Sequence, residues 1–216
     1  SKVFMAYNDA IEEGFFNHLG ATLARTLIGF ALAAIIGILI GVLLGRFKWL
    51  RIFFQPLIDL FRPLPSSAII PAAMMIIGLR ESTYIFIIVF GGTWPILINT
   101  IDGVKDVDIN SKTAIQQIGL NPLQLLRKFI FPEAAVEIFS GLKISLSICL
   151  ILSVTAEIII GFTFGLGKFL NNVEAGGNYK LMYFSIIAIA FAGFILNNLF
   201  FLIEKNHKWL KYKYDE

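Results

Sequence analysis

Long apolar runs separated by short polar connections dominate this chain. Crossing about 30 Å of hydrocarbon at helical rise takes roughly 20 apolar residues, because every backbone amide must find its partner inside the segment. By that measure spans are predicted at Gly20–Gly45, Ser67–Leu79, Thr83–Ile101, Phe139–Gly161 and Leu181–Ile203. The second is short for a full crossing, so it is tilted, lengthened by the proline-bearing residues before it, or re-entrant. The fold class that follows is all-α integral membrane, with about five spans in this chain. Gly37, Gly41 and Gly45 recur every four residues on one face of the first run, and Gly161 and Gly165 repeat the spacing later. Such glycines let another helix approach closely, and packing is all that they predict.

Composition agrees with that class. Hydrophobic residues make up 57% of the chain and charged ones 15%, more apolar surface than a soluble core of 216 residues would bury. Charge placement then orients the spans. Arg46, Lys48, Arg51 and Arg62 fall in one connection, Lys105, Lys112, Arg127 and Lys128 in another, and Lys205, Lys208, Lys211 and Lys213 in the tail. Basic residues of short loops favour the cytoplasm, and an alternating path puts all three groups there. The opposite side carries Lys2, Arg80, Lys168 and Lys180, while Arg25 and Lys143 are placed close to helix ends, within snorkelling reach of the interface. Residues 1–19 are then an external N-terminal segment, 20–205 the transmembrane domain and 206–216 a cytoplasmic tail. The chain opens on Ser1, and its first residues have no cleavable signal pattern. Parity leads us to expect a further N-terminal span ahead of this numbering; the alternative is an intact five-span protein with its N-terminus outside.

The connection 105–132 is unusual, because a loop that is merely solvated has no need of a hydrophobic stripe. Ala114, Ile115, Ile118, Leu120, Leu123, Leu125, Leu126 and Phe129 run among its charges, a pattern suited to docking. Gly119 can end one helix, after which Asn121 and Pro122 supply an N-cap and a first-turn proline for the next. Pro132 closes that second helix. A short helix is thus predicted at the cytoplasmic extremity, available to a partner.

Three further features depart from a plain bundle. In FRPLPSSAIIP, ending at Pro71, the prolines remove backbone donors and forbid a smooth helix. Irregular backbone at membrane depth is tolerated only where protein or a wet cavity covers it, so Arg62, Pro63, Pro65 and Ser66 are candidates to line a path; a cytoplasmic turn is the alternative. Glu157 lies in the apolar stretch VTAEIII and should point inward, either shaping a gate or making a structural hydrogen bond. Asn99, like Asn197 and Asn198, is a weaker signal of the same kind, since Asn commonly joins helices. Cys149 is the single cysteine and builds no disulfide or thiolate metal site within one chain. His18 and His207 have no companions at ligand spacing. Gly165-Leu-Gly-Lys168 has the wrong glycine spacing for a phosphate loop, and Phe169 stands where Ser or Thr would reach Mg²⁺.

The loop resembles the EAA motif of ABC importer permeases, in which E-A-A is followed four residues on by Gly and the motif closes on apolar-x-apolar-Pro. Ala114, Gly119, Phe129, Phe131 and Pro132 occupy matching positions, with Thr113 in place of the usual Glu and Ile115 in place of the second Ala. Nearly the whole chain resembles the nitrate/sulfonate/taurine branch of binding-protein-dependent permeases, through HLGATLARTLIGFALAAIIGILIGVLLG, FRPLPSSAIIPAAMMIIGL, WPILINTIDGVKDVD, GLKISLSICLILSVTAEII and FGLG. That resemblance implies a type I ABC importer transmembrane domain, usually of six spans, in a bacterial inner membrane. It also implies a second permease subunit forming a homodimer, two cytoplasmic ATPase subunits and an extracytoplasmic solute-binding protein, with no nucleic acid.

On the same resemblance Thr113, Ala114, Ile115, Ile118, Gly119, Leu120, Asn121 and Pro132 couple to the ATPase. Arg62, Pro63, Pro65, Ser66, Asn99 and Glu157 serve the translocation path or its gate. The chain itself is expected to be non-catalytic and free of cofactor, with ATP and Mg²⁺ on the partner ATPase. The cargo expected is a small anion such as nitrate, bicarbonate, sulfonate or taurine. A secondary transporter or channel driven by an ion gradient is the competing function; it calls for paired broken helices and several intramembrane ionisable groups.

Overall fold

The computed structural model describes residue 10 and residues 13–106, 131–161 and 164–206, and every regular element among them is helical. α1 is Phe15–Arg46 and α2 is Lys48–Phe61; a 3₁₀ turn, Ser66–Ile69, leads into α3, Ile70–Ile77. α4 is Glu81–Asp106, α5 Phe131–Ile160, α6 Leu166–Ala175 and α7 Tyr179–Asn206. Four of these, α1, α4, α5 and α7, are long and apolar enough to cross a membrane, and the broken run from α2 through α3 makes a fifth if it is one span. The five predicted spans are therefore present as helices, and the shortness of the second reflects a real break.

Helices run past the apolar segments that predicted them, because hydrogen bonding along a helix does not stop where hydrocarbon does. α5 is described from Phe131, and Pro132 is part of it; the helix predicted to end there lies outside the described residues. The connection 46–62 likewise contains α2. Its apolar residues repeat at helical spacing: Ile58 is buried with Leu44, Leu97 and Ile101, and Phe61 stacks on Trp94 at 5.3 Å between ring centroids. Gln55 donates to Asp59 one turn on, at 3.0 Å. A second stripe, with Trp49, Phe53 and Leu60, is exposed.

The contacts of the chain divide into two compact units. The first comprises Ser1–Leu32, Pro65–Gly92 and Leu146–Asn198. Its core packs Ile70 and Ala73 of α3, Tyr84, Ile87 and Ile88 of α4, and Cys149, Leu152 and Ala156 of α5. A second cluster gathers Phe15, Leu166, Phe169, Val173 and Leu181, which seats the buried face of α6 on the starts of α1 and α7. The other unit comprises Ala33–Leu64, Thr93–Ser145 and Leu199–Glu216, with Val104, Ala134 and Ile138 at one centre and Leu44, Ile58, Leu97 and Ile101 at another. Large apolar side chains also cover the outside, including Phe191 and Phe194 of α7 and Ile35 and Leu39 of α1. In water that surface would be a liability; in a bilayer it is the solvated face.

The glycine ladder of α1 packs on α4. A Cβ built at Gly37, Gly41 or Gly45 would stand 2.9, 2.5 or 2.7 Å from the Cβ of Ile96, Thr100 or Val104 respectively. The neighbours are rigid β-branched side chains and helix carbonyls, so neither side can yield cheaply. Gly41→Val should therefore destabilise the folded permease by about 1–3 kcal/mol. Thermal unfolding in detergent checks this, and an unchanged Tm would contradict the close approach.

Candidate functional site

The densest polar cluster among the described residues lies in the first unit and centres on two charges from membrane-spanning helices. Glu157 of α5 has a fully buried side chain, and Arg25 of α1 is 6% exposed. Burying either alone is costly, and the structure pairs them: Arg25 Nη1 donates to Glu157 Oε1 at 2.7 Å. The remaining guanidinium edge forks onto Glu81, the first residue of α4, with Nε to Oε2 and Nη2 to Oε1 both at 2.7 Å. Arg25 also lies over the ring of Tyr84, 4.6 Å from its centroid.

The same charges hold the turn that enters α6. Arg25 Nη1 donates to the Phe164 carbonyl at 2.5 Å, and the Gly165 N–H donates to His18 Nδ1 at 3.0 Å. The Leu166 N–H donates to Thr22 Oγ1 at 2.8 Å, and the Gly167 N–H to Glu157 Oε2 at 3.1 Å. The Thr22 hydroxyl in turn donates to Glu157 Oε2 at 2.8 Å. Four successive backbone groups are thus satisfied by side chains of α1 and α5, which a buried turn requires. The two glycines are sterically imposed: a Cβ at Gly165 would strike the Glu157 carboxyl, and one at Gly167 the Val154 carbonyl.

Glu157 therefore points inward, as its sequence context predicts. Arg25 does not snorkel from a helix end; it is buried, because two carboxylates and a carbonyl offer it more than the interface would. Lys143, also expected near an end, is half-buried well inside α5, since that helix starts earlier than its apolar run. Sequence reasoning missed Thr22 and Glu81 and treated Gly165 as a packing glycine. The available signal was the FGLG turn, which begins seven residues beyond the deep carboxylate Glu157.

The other sequence-predicted residues are dispersed. Arg62 and Pro63 are exposed at the end of α2, where the Arg62 N–H still reaches the Ile58 carbonyl at 2.9 Å. Pro65 is exposed and Ser66, half-buried, opens the 3₁₀ turn. Asn99 belongs to the second unit; its Nδ2 donates to the Pro95 carbonyl at 2.8 Å, and its Cβ is 2.8 Å from where one would stand on Gly141. That amide serves the proline-interrupted turn of α4. Pro132 is half-buried, and Thr113, Ala114, Ile115, Ile118, Gly119, Leu120 and Asn121 lie outside the described residues.

Residues 33–207 match the family described as binding-protein-dependent transport system inner membrane component, and the chain belongs to that family. It is a permease subunit of ABC transporters and a multi-pass membrane protein. It is 29% identical to the bicarbonate transport system permease protein CmpB of Synechococcus elongatus, over 87% of this chain and 67% of that one. With the nitrate import permease protein NrtB of a Synechocystis strain it shares 28% over 91% and 71% of the two chains. With the taurine transport system permease protein TauC of Escherichia coli it shares 32% over 84% and 66%. Among solved structures, the inward-facing MetNI methionine ABC transporter has a chain with the same fold, at TM-score 0.74 and 20% identity over 87% of this chain and 93% of that one.

Replacing Thr22 by Val keeps its shape and removes the hydroxyl that bridges Glu157 and the Leu166 N–H, leaving both short of a partner. A loss of about 1–3 kcal/mol is expected in denaturant unfolding in micelles. Gly165→Ala should be at least as damaging, and wild-type stability in both variants would remove this cluster from the account.

Proposed function

We propose that this chain is the translocating subunit of an ATP-driven importer for a small oxyanion of the bicarbonate, nitrate or sulfonate class. The observation that carries the reading is the match of most of the chain to permeases named for those solutes. Two copies form the path. Two ATPase subunits, which carry ATP and Mg²⁺, receive the 105–132 loops in surface grooves, and a solute-binding protein delivers cargo from outside. Thr113, Ala114, Ile115, Ile118, Gly119, Leu120, Asn121 and Pro132 make the coupling contact. The N-terminus of this chain faces out and its C-terminus the cytoplasm, in a bacterial inner membrane.

Arg62, Pro63, Pro65 and Ser66 line the path, because their broken backbone needs protein or water about it. Glu157 serves the outer gate as a paired group. An isolated carboxylate would repel a passing anion by about 4 kcal/mol at 4 Å in an effective dielectric of 20, and the Arg25 guanidinium at 2.7 Å offsets most of the field of Glu157. ATP binding closes the ATPase pair and turns the path outward; hydrolysis resets it, so the loop transmits a nucleotide-state free energy to a two-state membrane element.

The test is uptake of labelled bicarbonate, nitrate and taurine by proteoliposomes containing the permease, its ATPase and its binding protein. ATP-dependent uptake of one of them is expected, whereas uptake driven by an ion gradient without ATP would favour a secondary transporter. In the same assay Gly119→Val should retain ATP hydrolysis and lose most uptake by disturbing the turn of the coupling loop. Wild-type uptake in that variant would contradict the coupling assignment.

A further inference from the structure

Arg25 shares one guanidinium between two carboxylates whose surroundings differ sharply. The Glu157 side chain is fully buried, while that of Glu81 is 56% exposed. Glu157 cannot leave the cluster without taking the acceptor of the Gly167 N–H and the Thr22 hydroxyl with it, and its carboxylate has no water to move into. If Glu81 swings away, its carboxylate enters water directly, and Arg25 keeps Glu157, the Phe164 carbonyl and the Tyr84 ring. The Glu157 arm is thus fixed; opening the Glu81 arm rehydrates one exposed carboxylate but takes the acceptors from Arg25 Nε and Nη2, so it needs a drive from the rest of the complex.

The opening arm sits on a joint. Glu81 begins α4, and three residues earlier Gly78 ends α3 with φ +88°, a left-handed conformation with no atom within 4 Å of where a Cβ would stand. Thr83 closes the corner by donating to the Gly78 carbonyl at 2.5 Å and is fully buried. One residue further, Tyr84 is locked in the core with Ile87 and Ile88. Motion released at Glu81 is therefore confined to the corner 78–83, on the end of the broken α3 element.

We propose that Glu81 is a releasable latch that holds the α3–α4 corner onto Arg25, with the Arg25–Glu157 pair as its fixed post, and that the corner opens and closes during the transport cycle. Glu81 is then a positioning residue. This rests on the reading of the chain as an ATP-driven permease.

The experiment uses the complete permease–ATPase complex in nanodiscs, with Thr83→Cys as reporter, a small charged methanethiosulfonate as probe and the buried Cys149 replaced by Ala. With Glu81 present, labelling should be slow, should quicken with added salt, and should differ severalfold between nucleotide-free and ATP-vanadate states. Glu81→Gln should raise the rate about tenfold and erase the difference between states, and Glu81→Asp should restore part of it. If the reporter variant does not fold, amide hydrogen exchange over residues 79–84 gives the same contrast. Equal rates with and without the Glu81→Gln change, or equal rates in both nucleotide states with Glu81 present, would overturn the latch. Failure of ATP-dependent uptake by the unmodified complex would instead overturn the functional reading and is measured separately.

Discussion

A charge inside a bilayer needs a partner more than a charge anywhere else, and the pairing of Arg25 with Glu157 is how this protein meets that constraint. The pair is not a source of net stability in itself, because desolvating two ions consumes most of what their attraction returns. Its effect is to specify. With Glu157 buried, the observed arrangement of the start of α1, the end of α5 and the 164–167 turn gives both charges and the turn's amides their partners. Gly165 and Gly167 follow, since any side chain there would occupy the space of the carboxylate or of the Val154 carbonyl. So does the place of α6, whose buried face of Leu166, Phe169 and Val173 is delivered to the start of α1 by that turn.

Elsewhere the fold is held by contact without charge. Between two helices in lipid there is little hydrophobic drive, and backbone proximity supplies dispersion instead. Gly37, Gly41 and Gly45 meet Ile96, Thr100 and Val104, and Gly141 and Gly103 repeat the arrangement between α5 and α4, facing Asn99 and Glu137. α4 is thus approached through glycines from two helices, which fixes it despite Pro95 in its interior.

Much of this was legible in the sequence. Apolar run length predicts the five spans, glycine spacing predicts the α1 face, and an isolated carboxylate among VTAEIII predicts an inward Glu157. Run length does not locate helix ends, so α1 and α5 start earlier than expected and α2 emerges from a stretch that its arginines and lysines mark as a loop. Arg25 was the instructive miss. Ten residues into a helix it is near enough to an interface to snorkel, and nothing local says otherwise; its partners lie 56 and 132 residues away. The docking pattern at 113–121 falls outside the described residues, so its coupling role rests on the motif and the family.

The most direct test of the claim that this pair organises the permease is a double-mutant cycle of Arg25→Leu and Glu157→Leu, with stability read by denaturant unfolding of the purified protein in micelles. Arg25→Leu should cost about 3–5 kcal/mol by stranding the buried Glu157, and Glu157→Leu less, because Arg25 keeps Glu81. The double variant should be more stable than either single one, with a coupling energy of about 2 kcal/mol or more. Additive losses, with a coupling energy near zero, would show that the two charges are buried independently and would contradict the account.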